Sequence, residues 1–221
     1  MSPAFIVTLL TGAAAMLAVM LAARKRYGVS ALRCLAFSAL LTVCGVAGAK
    51  VMFAIETGGA SGGVSFFGAV FFPPAVMALA ALIARTPVRT VLDLCAPAEC
   101  VMLALLKVRC VIDGCCYGRL LYATQTVAIR FPSQIVELLA SLVILAVLFR
   151  LMGREKWRGK LYPCYLLIYG GTRFVLNTLR DTEPFVWLLP AGHFWSLIAM
   201  AIGALWLALA FHEDKKVRIS T

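Results

Sequence analysis

Charge is what this sequence has least of. Only 14% of its 221 residues are Asp, Glu, Lys or Arg, while 62% are hydrophobic and the mean hydropathy is +0.94. A soluble domain of this length carries about a quarter charged residues. The shortage excludes a soluble enzyme, and the apolar excess excludes a disordered chain or a small disulfide-stapled secreted domain. Acidic residues are scarcer still, 10 against 21 Lys+Arg, for a net charge of +11. In a soluble protein that balance would point to nucleic acid; in a membrane protein its first meaning is topological, and no nucleic-acid partner is expected. There are two histidines, remote in sequence from the polar cysteines, and no spaced CxxC pair, so zinc is disfavoured and neither metal nor cofactor is expected. The start, Met-Ser-Pro-Ala-Phe, lacks the basic n-region of a signal peptide, so the first apolar run is expected to stay as a span.

What is present is a series of apolar runs of spanning length, about 20 residues each. They fall at roughly 4–23, 34–55, 64–84, 90–106, 134–152, 161–179 and 187–211. The fourth is short and carries Asp93 and Glu99. Pro73, Pro74 and Pro97 lie inside spans, where neighbouring helices must re-satisfy freed backbone groups. The expected fold is all-α: a polytopic membrane protein with a bundle of about seven transmembrane helices. Residues 1–221 form a single transmembrane domain with small outward-facing loops, of which 107–133 is the main functional one. The connections after the first, third and fifth spans, and the C-terminus, hold Arg24, Lys25, Arg26, Arg33, Arg85, Arg89, Arg150, Arg154, Lys156, Arg158, Lys160, Lys215, Lys216 and Arg218. That side is expected to be cytoplasmic, with the N-terminus outside.

The other cations, Lys50, Lys107, Arg109, Arg119, Arg130, Arg173 and Arg180, fall at or near the outer face. Snorkelling to headgroups accounts for Arg130 but poorly for Lys50, Arg109 and Arg173, which interrupt apolar sequence. Intramembrane cations are costly and usually line a functional cavity. Here they suit capture of an anionic headgroup, most simply a phosphate, by charge-assisted hydrogen bonds.

Two segments concentrate the chemistry. In Lys107-Val-Arg-Cys-Val-Ile-Asp-Gly-Cys-Cys-Tyr-Gly-Arg119, Gly114 and Gly118 permit tight turns around three cations, one carboxylate and the thiols of Cys110, Cys115 and Cys116. Thiols beside cations lose protons readily. A Cys115–Cys116 disulfide would be strained, whereas Cys110 could pair with either. In Tyr169-Gly-Gly-Thr-Arg-Phe-Val-Leu-Asn-Thr-Leu-Arg180, the i, i+4, i+7 spacing of Arg173, Asn177 and Arg180 predicts one helical face. A helix end emerging into water explains Arg180 but not Arg173. Smaller features join these. Gln134 and Glu137 share a face at the start of the fifth span, where capping and a site role are equally good readings for Ser133 and Glu137. Gly62 to Gly68 marks an irregular entry to the third span, and Gly45 and Gly48 precede Lys50 at a spacing that favours close helix packing. His193 opens the last span.

In their order, Gly48-Ala-Lys50, Gly62-Gly-Val-Ser-Phe-Phe-Gly68, Asp93-Leu-Cys-Ala-Pro97, Lys107 to Arg119, Pro132-Ser-Gln134 through Glu137, and Tyr169-Gly170 with Arg173 and Arg180 resemble the bacterial phosphatidylglycerol–prolipoprotein diacylglyceryl transferase family. The resemblance runs from about residue 45 to residue 200. It implies a seven-helix bundle in the bacterial inner membrane, with an outward-facing site. It also implies transfer of a diacylglyceryl group from phosphatidylglycerol to the lipobox cysteine of a preprotein, or to another nucleophile. Arg173, Lys107, Cys115 and Cys110 would then be catalytic, with Arg180, Arg119, Asn177, Gly118, Lys50, Gln134, Glu137 and His193 binding substrate.

The departures from the family pattern are equally specific. Phe67 stands where the family has histidine in Ser-Phe-His-Gly-Gly. Lys107 replaces an arginine, Cys110 an asparagine and Cys115 a glutamate of its signature. Asn177 replaces a glutamate between the two retained arginines, and His193 stands near a glutamine. Loss of the histidine removes the obvious base near neutral pH; the thiols offer a substitute. The Gly-Cys-Cys-Tyr-Gly variant looks like a paralogous branch. Two other readings stay open: a membrane thiol oxidoreductase using Cys110, Cys115 and Cys116, with a quinone as candidate partner, and an inactive lipid-binding relative.

Overall fold

Each long apolar run folds as a helix. The structure, a computed structural model, describes residues 3–60, 62–123, 128–180, 185, 186 and 188–220, with 217–220 described by backbone alone. Among these residues α1 (Pro3–Tyr27), α2 (Ala31–Glu56), α3 (Gly68–Ile83), α4 (Val88–Asp113), α5 (Ser133–Met152), α6 (Leu161–Asn177) and α7 (Ala191–Ser220) follow in order. A 3₁₀ turn spans Glu155–Trp157. Two short antiparallel hairpins, β1–β2 (Leu120–Ala123 with Ala128–Arg130) and β3–β4 (Phe185–Val186 with Leu189–Pro190), complete the chain. This is an all-α polytopic membrane protein.

Helices α1, α2, α5 and α7 are each long and apolar enough to cross a membrane. Of the other three, α3 is a shorter apolar helix that exposes Leu79, Leu82 and Ile83, while α4 and α6 are buried in the bundle over much of their length. Helix α3 has 16 residues and α6 has 17. Helix α4 is the central one: residues 91–100 are buried without interruption, and it packs on α1, α3, α5 and α6. That position explains its acidic residues, since a buried carboxylate is tolerated where it is hydrogen-bonded. Asp93 accepts from the backbone N–H groups of Gly159 and Leu161 at the start of α6, and from the Tyr27 hydroxyl. Glu99 accepts from the Tyr162 hydroxyl at 3.0 Å.

The fourth helix also runs further than the expected 90–106. Nothing between Lys107 and Asp113 breaks a helix, and Gly114, at φ +63°, supplies the left-handed cap. Lys107, Arg109 and Cys110 are therefore helical, and the 107–133 segment leaves the helix only at Gly114. Of the two small residues before Lys50, Gly48 makes the close crossing: a Cβ there would strike the Gly68 carbonyl of α3, while one at Gly45 would meet open space. The basic connections gather at one end of the bundle, where Arg26–Glu155 (2.7 Å), Arg89–Glu213 and Lys160–Asp214 tie helices together. The cations singled out for function lie toward the opposite end.

Candidate functional site

Helices α4, α5 and α6 each send one ionised residue to the same buried point. Glu137, on the first turns of α5, takes Lys107 Nζ from α4 at 2.5 Å and Arg173 Nη1 from α6 at 2.9 Å on its Oε2. Arg180 Nη1 approaches its Oε1 at 3.4 Å. Lys107, Glu137 and Arg173 are 3, 5 and 6% exposed, so these charges interact with little solvent screening. Three cations on one carboxylate leave the cluster with excess positive charge. Aromatic faces support it: Lys107 Nζ lies 4.3 Å from the centre of the Phe66 ring, and the Arg173 guanidinium 5.7 Å from that of Phe67.

Arg180 reaches the cluster from just past the end of α6. The α-helix ends at Asn177, and Thr178, Leu179 and Arg180 continue on tighter i−3 hydrogen bonds. This continuation carries Arg180 to the same carboxylate as Arg173. Ser133 and Glu137 are not caps either. The Ser133 hydroxyl donates to the Cys116 carbonyl at 2.8 Å, and Glu137 is committed to the cations. Gln134 is buried beside them on α5. Asn177 donates to Ser196 at 3.5 Å, and His193 packs edge-on against Phe174 with ring centres 5.1 Å apart. Arg119 is exposed at the hairpin and stands outside the cavity wall, its backbone N–H donating to Leu179 at 2.9 Å. Gly118 is needed for that approach, because a Cβ would strike the Leu179 carbonyl.

A cavity of about 680 Å³ opens beside the cluster, between α1, α2, α4 and the 62–67 segment. Apolar side chains such as Phe5, Leu9, Met16, Leu41 and Phe53 form much of its wall; Lys50, Arg109, Arg173 and Arg180 supply cations, and Arg109 is shared with Asp113. All three thiols of the signature segment face it. Cys110 Sγ lies 3.6 Å from Cys116 Sγ, and the three sulfurs are within 4.8 Å of one another. Cys116 has φ +61°, a left-handed conformation that is costly for a residue with a Cβ. The sequence points to catalytic roles for Cys110 and Cys115 in a transferase and for all three thiols in the oxidoreductase alternative; the structure brings Cys116 within 3.6 Å of Cys110.

The Cys116 thiol is pulled down to about 5, first by the hydrogen bond from Cys110 and then by the Lys107 ammonium and Arg180, against the opposing effect of burial. Burial pushes the Cys115 thiol up. Above pH 5, Cys116 is therefore a thiolate, and its reactivity is lost as pH falls through that value. In reduced protein at pH 7, iodoacetamide should label Cys116 ahead of Cys115, with labelling fading as pH approaches 5. Peptide mass spectrometry across a pH series checks this, and faster labelling of Cys115 at pH 7 would contradict it.

A family model described as prolipoprotein diacylglyceryl transferase matches residues 4–209. The chain belongs to the prolipoprotein diacylglyceryl transferase family. The phosphatidylglycerol–prolipoprotein diacylglyceryl transferases of Bordetella parapertussis and Bordetella bronchiseptica are similar to it, each 31% identical over 140 residues. Those matches cover 59% of this chain and 53% of each relative, so the chain spans about half the length of these curated relatives. Phe67 is 2% exposed, stacked on Phe71 and edge-on to Tyr169, both with ring centres at 5.9 Å. It presents an apolar floor to Arg173 and offers no proton acceptor.

Proposed function

We propose that this protein is a phospholipid-dependent transferase, moving a diacylglyceryl group from an anionic phospholipid, phosphatidylglycerol first, to a thiol or other small nucleophile. The lipobox cysteine of a preprotein is the default acceptor. The observation that carries the reading is the junction of an apolar cavity with a cation-rich polar cluster, which suits acyl chains and a phosphodiester headgroup together. Arg173 and Lys107 polarise the phosphate as it leaves, acting where charge develops. Arg180, Lys50 and Asn177 hold the headgroup, and the thiols of the 107–133 segment replace the missing histidine as base or acceptor-orienting groups. The protein lies in a bacterial inner membrane with its N-terminus outside, its basic end in the cytoplasm and this site outward.

The decisive experiment incubates purified protein with phosphatidylglycerol and a lipobox peptide, and follows lipid, peptide and glycerol phosphate by mass spectrometry. Diacylglyceryl peptide with stoichiometric glycerol phosphate is expected. Glycerol phosphate without lipidated peptide would keep the donor and change the acceptor; neither product, with lipid still bound, would mark an inactive relative. The 3.6 Å Cys110–Cys116 approach favours one rival, a dithiol oxidoreductase. That enzyme would cycle a disulfide with reductant and be indifferent to loss of Arg173.

A further inference from the structure

The arrangement of the three thiols is more than a disulfide requires. A disulfide joins two sulfurs about 2.05 Å apart and leaves a third without a role. Here Cys110, Cys115 and Cys116 all converge, with every Sγ within 4.8 Å of the others. Zinc–thiolate bonds of about 2.3 Å place sulfurs about 3.8–4.0 Å apart around one tetrahedral or trigonal ion. The observed Cys110–Cys116 separation of 3.6 Å is slightly shorter than that spacing.

The backbone is shaped to make the convergence. Neighbouring residues in extended chain point their side chains to opposite sides, so Cys115 and Cys116 would not ordinarily face one point. Gly114 ends α4 in the left-handed region, the Cys115 N–H returns to the Cys110 carbonyl at 3.0 Å, and Cys116 itself adopts φ +61°. The Ser133 hydroxyl then fixes the Cys116 carbonyl. A conformation this unfavourable for a non-glycine residue is commonly kept where a site needs it. All three residues line the cavity, which leaves an open side toward it. The charges are also complementary in sign. Three thiolates and a divalent ion sum to one negative charge, against a cluster in which Lys107, Arg173 and Arg180 outnumber Glu137.

We propose that Cys110, Cys115 and Cys116 form a trithiolate site for a zinc-like divalent ion, with its fourth position open to the cavity. Three protein ligands and one open position are the pattern of catalytic rather than structural zinc. The further role rests on the transferase reading given above. An acceptor thiol occupies the fourth position and loses its proton to water in the cavity, because a metal-bound thiol is held deprotonated. Its sulfur forms the C–S bond to the glyceryl carbon while that carbon's C–O bond to phosphate breaks. The phosphate leaves with the electron pair and is held by Arg173 and Lys107. The ion thereby does what Phe67, in place of histidine, does not.

The test titrates reduced, metal-stripped protein in detergent with cobalt(II), the spectroscopic stand-in for zinc. Thiolate-to-cobalt charge-transfer bands are expected, saturating at one cobalt per chain and displaced by zinc. Cys110→Ser, Cys115→Ser and Cys116→Ser should each weaken binding by about tenfold or more, whereas Cys44→Ser, buried in α2 away from the cluster, should leave it unchanged. A lipobox peptide should then alter the bands by adding a fourth sulfur. Absence of the bands, or bands indifferent to Cys116→Ser, would overturn the site even if lipidated peptide forms. Normal bands that the lipobox peptide leaves unaltered would overturn the acceptor role. Normal bands altered by the peptide, with no lipidated product in the transfer assay, would leave the ion site standing and refute the transferase reading instead.

Discussion

Replacing Arg173 by alanine should lower diacylglyceryl transfer by roughly 10²- to 10³-fold, the usual loss when one donor to developing negative charge is removed. Arg173 combines burial, a 2.9 Å pairing with Glu137 and a place in the cavity wall, so its guanidinium is pre-oriented. The fold should survive the change, because Glu137 keeps Lys107 at 2.5 Å and Arg180 at 3.4 Å. Arg173→Lys preserves charge but not the planar fork, and should recover only part of the rate. Initial rates with phosphatidylglycerol, beside melting temperatures in the same detergent, separate lost chemistry from lost structure. Full activity in the alanine variant would remove Arg173 from the mechanism.

Removing the carboxylate at the centre should act on stability instead. Glu137→Ala leaves Lys107 and Arg173 buried as like charges with Arg180 beside them. Stripping one partner from a buried ion pair costs about 3–5 kcal/mol. The expected outcome is a markedly lower melting temperature or failure to accumulate in the membrane. Glu137→Gln keeps the shape and one acceptor and should lose less. Adding Lys107→Met to Glu137→Ala should restore part of the loss, because it deletes one of the stranded charges; a double-mutant cycle measures that coupling. A Glu137→Ala protein that melts like the parent would mean that water screens the cluster.

Parts of this site were open to reading from the residues alone. Arg173 interrupts an apolar run with no end effect to excuse it, which is enough to mark it. Lys107, Cys110 and Cys115 stand in a short polar stretch with two glycines, and they do meet the cavity or its cluster. Arg119 looked equally good and is not part of the wall, because the hairpin that follows carries it outward. Glu137 looked as much like a helix cap as a ligand; only the arrival of three cations from α4, α6 and the turn after it decides. Arg180 belongs to the cluster from just beyond the α-helix, which ends at Asn177 and tightens to i−3 hydrogen bonds.

The helix count, the gathering of basic connections at one end and the membrane setting were all determined by the sequence, since each depends on counting apolar residues against charges along the chain. The extension of α4 to Asp113 depends on local signals too, the lack of a breaker and the cap at Gly114. What only the tertiary structure decided is which helices are buried in the bundle and which charges share a point. Helix α4 tolerates Asp93 and Glu99 because its neighbours bring Tyr27, Tyr162 and the start of α6 to them. Cys116 comes within 3.6 Å of Cys110 because left-handed residues at 114 and 116 reverse the chain. Such meetings join residues far apart in sequence, and periodicity along one chain carries no record of them.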